Sequence, residues 1–110
     1  KIQGTTQLIG GYNPLDWCGY GWKSTTDSFL FHITDGKNIS TAKLSYVNNN
    51  NAVNAIYCHG SQGPQMGDFL CSGFNKWYFY DAGVSIIYPK IGIPESFMVE
   101  NYEVFQVIKK

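Results

Sequence analysis

The residues best suited to chemistry in this chain are Cys58-His59 and Cys71. They offer three zinc donors, but the spacing matches no two-pair Cys or Cys/His pattern and a fourth ligand is missing, so no metal and no cofactor is expected. A Cys/His nucleophile needs the imidazole within hydrogen-bond reach of the sulfur. Cys58 and His59 are adjacent, and in a strand adjacent side chains leave on opposite faces. The plainer reading of Cys58 and Cys71 is small buried hydrophobes. Cys18 sits in an aromatic loop, and no Lys, Arg or paired His lies near any of the three thiols in sequence to lower its pKa. Inert thiols are therefore expected, with thiol-dependent peroxide scavenging as the enzymatic alternative. His32 reads as a core-edge histidine with a satisfied hydrogen bond.

Aromatic side chains supply the second kind of chemistry. Trp17, Tyr20 and Trp22 crowd a loop, residues 15–22, with Gly19 and Gly21 between them. In one reading the tryptophans fold back as a lid over the open end of a sandwich, burying area on themselves. In the other they form a binding platform, and with Trp77 they would suit a carbohydrate ligand.

Composition narrows the field. Eight basic residues balance eight acidic ones with no run of either, which leaves no electrostatic footprint for nucleic acid or an anionic membrane. No apolar run approaches the ~20 residues of a membrane span. Three cysteines are an odd number and too few for a small disulfide scaffold. The chain shows no secretory leader, so Asn38-Ile39-Ser40 is read as a chance sequon and the expected location is intracellular, in the cytoplasm.

The elements that must position these residues are strands. Aromatics at 16% and 12 glycines favour β structure over helix. Residues 28–34, Ser-Phe-Leu-Phe-His-Ile-Thr, put Phe29, Phe31 and Ile33 on one face and Leu30 and His32 on the other. Both faces are largely apolar, which predicts a central strand covered on both sides, with Phe31 at the centre of the core. Further strands are expected at 6–12, 42–47, 55–58, 68–72, 77–80, 83–88 and 103–108. Residues 10–14, Gly-Gly-Tyr-Asn-Pro, are expected to stop the first of these, and residues 59–67 to be loop throughout. Strands at short regular spacing with no helical period predict a mainly β fold, a two-sheet antiparallel β sandwich. Only Lys1-Ile2 precedes the first turn, too little for a hairpin arm, so residues 1–110 are expected to be a single partial domain truncated at its N-terminal side.

Residues 8–17 (Leu-Ile-Gly-Gly-Tyr-Asn-Pro-Leu-Asp-Trp), 27–31 (Asp-Ser-Phe-Leu-Phe) and 54–57 (Asn-Ala-Ile-Tyr) resemble successive blocks of the TLDc domain. Residues 60–68 (Gly-Ser-Gln-Gly-Pro-Gln-Met-Gly-Asp) are similar to that family's glycine-rich segment, and 97–105 to its closing strand. Met66 stands where the family usually has an aromatic, and the glycines after it shorten to Gly67. The resemblance implies a eukaryotic β sandwich whose N-terminal helical part is missing here. It implies a protein-binding role in oxidative-stress resistance and in regulating the vacuolar proton-pumping ATPase, with no catalytic mechanism. The binding residues it suggests are Gly63, Pro64, Met66, Gly67 and Asp68, joined by Trp17 and Trp22 from the aromatic loop.

Overall fold

The computed structural model describes residues 1–15, 17, 19–59, 64–72, 75–79, 87–100 and 102–104. Its strands are β1 Leu8–Tyr12, β2 Gly21–Lys23, β3 Phe29–Ile33, β4 Ala42–Tyr46, β5 Ile56–Cys58, β6 Gln65–Met66, β7 Phe69–Cys71, β8 Lys76–Phe79 and β9 Ser96–Met98. They form a mainly β structure of two antiparallel sheets, one ordered β1-β3-β4 and the other β2-β5-β6-β7-β8-β9. Two 3-10 segments, Ile39–Thr41 and Asn49–Asn54, are the helical pieces among the described residues. Each starts on an asparagine whose side chain takes the backbone N–H two residues on, Asn38 from Ser40 and Asn48 from Asn50.

β3 is the middle strand of its sheet, as the sequence suggests, but its two faces are not equivalent. Leu30 is wholly buried and His32 nearly so, whereas Phe29 and Phe31 are only half-buried. Phe31 is therefore not the centre of the core; Leu30 is. The cross-strand register shows why. Gly10, Phe31 and Leu44 share one row, and Tyr12, Phe29 and Tyr46 the next, all on the face turned away from the second sheet. The inward rows instead carry Leu30 with Gly11 and Ser45, and His32 with Ile9 and Lys43.

The core lies between Leu30 and the inner face of the six-stranded sheet, where Ile56, Cys58, Met66, Phe69, Cys71, Trp77 and Phe79 are buried. Three buried polar side chains fix the segment around residues 87–91 across β3 and β4. Ser28 bonds the Tyr88 hydroxyl at 2.7 Å, Ser45 donates to the Pro89 carbonyl, and His32 Nδ1 bonds the Ile91 carbonyl at 2.9 Å. The second His32 nitrogen meets the Gln7 side chain at 2.7 Å, so both are used, as buried polar groups require.

Several expectations need correction. The first strand ends at Tyr12 as expected, but it starts later, at Leu8, and Gly10 and Gly11 lie inside it. They are required inside it, because a Cβ on Gly10 would enter the Phe31 ring and one on Gly11 would strike the Met66 sulfur. Residues 59–67 are not all loop, since Gln65–Met66 is strand β6, between β5 and β7. Gly67, with φ +57°, opens the two-residue β6–β7 turn, where a left-handed conformation favours glycine. Lys1-Ile2 does not lie along β1. Ile2 bridges Val99 beyond the end of β9, and Lys1 pairs with Glu100 at 2.8 Å. The short strand β2 is not among those expected, and β9 overlaps only the start of the segment 97–105 likened to a closing strand. Of the strand expected at 83–88 only Ile87 and Tyr88 are described, and they form a bend; of that at 103–108 only Glu103 and Val104 are described, and neither is in a strand.

Candidate functional site

Cys58 and Cys71 both point into the core from β5 and β7 and are almost fully buried, and neither is in a disulfide. Burial pushes the Cys71 thiol up, offset in part by a hydrogen bond with Tyr102. His59 follows Cys58 immediately but its ring packs on Tyr57, centroids 4.4 Å apart, and bonds the Gln65 side chain. Among the described residues no three His, Cys, Asp or Glu gather into a metal-ligand group. Cys18 lies outside the described residues.

The residues suggested by the family-like loop separate. Gly63 lies outside the described residues. The Pro64 carbonyl accepts the Cys71 N–H at 3.2 Å, Met66 is buried against Gly11, and Gly67 makes the hairpin turn. Asp68 is half-exposed beside it. Pro64 and Met66 do meet Trp17 in one place, a groove of about 1340 Å³ that follows β1. Trp17 is half-buried and packs against the core, which suits the lid reading.

Trp22 remains outside, on β2. It stands 44% exposed, edge-on to Tyr57 at 4.8 Å, in a row that continues across the six-stranded sheet through Gln65, Leu70, Tyr78 and Ser96. Trp77 is not available as a stacking platform. It is 8% exposed and stacked on Phe69 at 4.8 Å, with Tyr102 edge-on at 5.4 Å.

Two surfaces come from tertiary structure alone. One is the outward face of the β1-β3-β4 sheet, where Tyr12, Phe29 and Tyr46 rings stand 5.4 and 5.2 Å apart in series and Leu44 is exposed. The alternation in β3 and β4 is visible in the sequence, but which face meets solvent is not. The other is the groove itself, lined by β1 on one side and by Phe69, Trp77 and Phe97 on the other. Among the described residues the Trp77 indole nitrogen is buried with no hydrogen-bond partner. No family model, no curated protein and no solved structure matches the chain.

Proposed function

We propose that this chain is a protein-interaction domain of the TLDc kind, working inside the cell in oxidative-stress resistance by binding the vacuolar proton-pumping ATPase. The observation that carries the reading is the outward face of the β1-β3-β4 sheet. Its nine register positions, Leu8, Gly10, Tyr12, Phe29, Phe31, Ile33, Ala42, Leu44 and Tyr46, include no charged residue, and all but the buried Ile33 are at least partly exposed. A contiguous apolar and aromatic patch of this kind on a sheet marks an interaction surface, and tyrosine is among the residues that dominate interface energies. Among the described residues no helix is long and apolar enough to cross a membrane, so the proposal needs no insertion.

The test uses the purified soluble sector of the vacuolar ATPase, immobilised, with this chain in solution. Binding is expected to weaken more than about tenfold when Leu44→Ser and Tyr46→Ser are combined, with the circular dichroism spectrum unchanged. Equal affinity of the double variant, or no binding by the parent chain, would overturn the reading. Cys58→Ala with Cys71→Ala is expected to leave this affinity within about twofold, since both thiols are buried away from any partner and burial pushes that of Cys71 up. Loss of peroxide protection in that variant, still folded, would favour the thiol enzyme instead.

A carbohydrate-binding reading keeps one specific observation, the exposed Trp22 beside Tyr57 and the hydrogen-bonding Gln65. Tryptophan fluorescence titrated with oligosaccharides decides it. A saturable change lost in Trp22→Ala would establish that function, and a flat titration would remove it.

A further inference from the structure

Three rings adjoin on the outward face of the six-stranded sheet. Trp22 on β2 and Tyr57 on β5 are register partners, with centroids 4.8 Å apart and planes at 73°. His59, just past β5, packs on the same Tyr57 ring at 4.4 Å. Both rings border one neighbour, so a ligand lying over Tyr57 reaches both. A relay fixes the polarity of the histidine. The Gln65 amide nitrogen donates to the Gly67 carbonyl at 2.9 Å, so the amide oxygen is the end that faces His59 Nε2. An amide oxygen only accepts, so Nε2 carries the proton and, in the neutral ring, Nδ1 is left as an acceptor. Neither Nδ1 nor the Tyr57 hydroxyl has a hydrogen-bond partner. Both atoms are open to solvent, since among the described residues Trp77 Nε1 alone is a buried side-chain nitrogen or oxygen without a partner.

We propose that Trp22, Tyr57 and His59 form a site for an arginine side chain of a protein partner. The guanidinium stacks on the exposed Trp22 ring, donates one N–H to His59 Nδ1 and donates another to the Tyr57 hydroxyl. The match is one of charge. Ring faces carry negative potential and the neutral histidine adds a lone pair, which together complement a planar cation that has only donors. Arginine suits this better than lysine, because its plane stacks while its edge donates. The lysines of this sheet's strands are placed elsewhere. Lys23 alternates with Trp22 and lines the groove on the other side, and Lys76 lies over the Tyr78 ring at 5.4 Å, the same kind of contact made within the chain. A sugar would also stack on Trp22 but would draw on free polar side chains, and the Gln65 amide is bonded at both ends. The inference rests on the interaction-domain reading and names a second contact, on the other sheet from Leu44 and Tyr46.

The probe is the peptide acetyl-Gly-Arg-Gly-amide, titrated at pH 8 into 15N-labelled protein, with the citrulline peptide as its uncharged match in shape. The arginine peptide is expected to shift the Trp22 indole and His59 ring peaks saturably, with a Kd of about 10 mM. The citrulline peptide is expected to bind at least about fivefold more weakly, the loss of one cation–π contact. Trp22→Leu is expected to lose as much. His59→Phe keeps a ring against Tyr57 without the lone pair, and is expected to weaken binding about two- to tenfold, the range of one net hydrogen bond. The citrulline comparison needs no variant, so it decides even where a variant misfolds.

No saturable shift by about 50 mM, or equal affinity for the citrulline peptide, would overturn the site. An unchanged affinity in a folded Trp22→Leu would do the same, and in a folded His59→Phe it would overturn the histidine's part. Tighter binding of chitotriose than of the arginine peptide at the same peaks would assign the cluster to carbohydrate and overturn the proposal. If the peptide fails while the ATPase sector still binds through Leu44 and Tyr46, the arginine site alone is refuted. If the reverse holds, the proposed function is refuted and the arginine site stands.

Discussion

Leu30→Ala is expected to be among the most damaging single changes in this domain, lowering stability by about 2 to 5 kcal/mol in urea denaturation. That is a large share of the ~5 to 15 kcal/mol a domain holds in total. Leu30 is wholly buried in the main cluster, and its side chain covers Gly11 on the neighbouring strand. A cavity there has few ways to close, because Gly11 has no side chain to move into it. Phe31→Ala removes more atoms but from a half-buried position, and is expected to cost clearly less than Leu30→Ala. Leu44→Ala, on the exposed row beside Phe31, should stay within about 0.5 kcal/mol. A larger loss at Phe31 than at Leu30 would mean that the outward face of the three-stranded sheet is covered and the assignment of faces is wrong.

Tyr88→Phe is expected to change both stability and its dependence on alkaline pH. The Tyr88 hydroxyl donates to the Ala55 carbonyl at 2.9 Å, so its 2.7 Å contact with Ser28 must be donated by the serine. Removing the hydroxyl leaves a buried carbonyl and a buried serine without this partner, at a cost of about 1 to 3 kcal/mol. Burial pushes the Tyr88 phenol up to about 12, against a partial lowering by Ser28.

The unfolded phenol ionises near ~10, and the native one later. Between about pH 10 and 12 the unfolded chain therefore binds fewer protons than the native one, and stability falls as pH rises, by up to ~1.4 kcal/mol per unit. Below pH 10 the group is protonated in both states and contributes no slope. Urea midpoints measured from pH 8 to 12 should thus fall steeply in the parent above pH 10 and less steeply in Tyr88→Phe. The Tyr102 hydroxyl, also raised by burial, leaves some slope in both proteins. Identical slopes would show that Tyr88 does not titrate from a buried position.

How much of this was legible in the sequence follows from what alternation can and cannot say. Within one strand it separates residues into two sets without reference to anything else, so Leu30 and His32 were rightly set apart from Phe29, Phe31 and Ile33. The mainly β, two-sheet character followed in the same way from strand-length apolar runs broken by glycine and asparagine turns. The burial of Cys58 and Cys71 and the satisfied His32 were also local inferences that the structure bears out.

Which set faces inward is a property of the neighbouring sheet. The larger side chains of β3 were assigned to the core, yet the smaller leucine is buried, because the six-stranded sheet already fills that space with Phe69, Trp77 and Phe79. That the first strand stops at Tyr12, before Asn13-Pro14, is a local property, but why Gly10 and Gly11 are needed inside it is not. The Phe31 ring and Met66 sulfur that need their missing side chains come from elsewhere in the chain. Gln65-Met66 was too short and too polar to read as a strand, and only pairing with β5 and β7 makes it one.

The groove is the extreme case. β1, Trp77 on β8 and the residues near both ends of the chain that line it lie far apart in sequence. No local pattern could join them, because a groove is defined by elements that only the tertiary fold brings together.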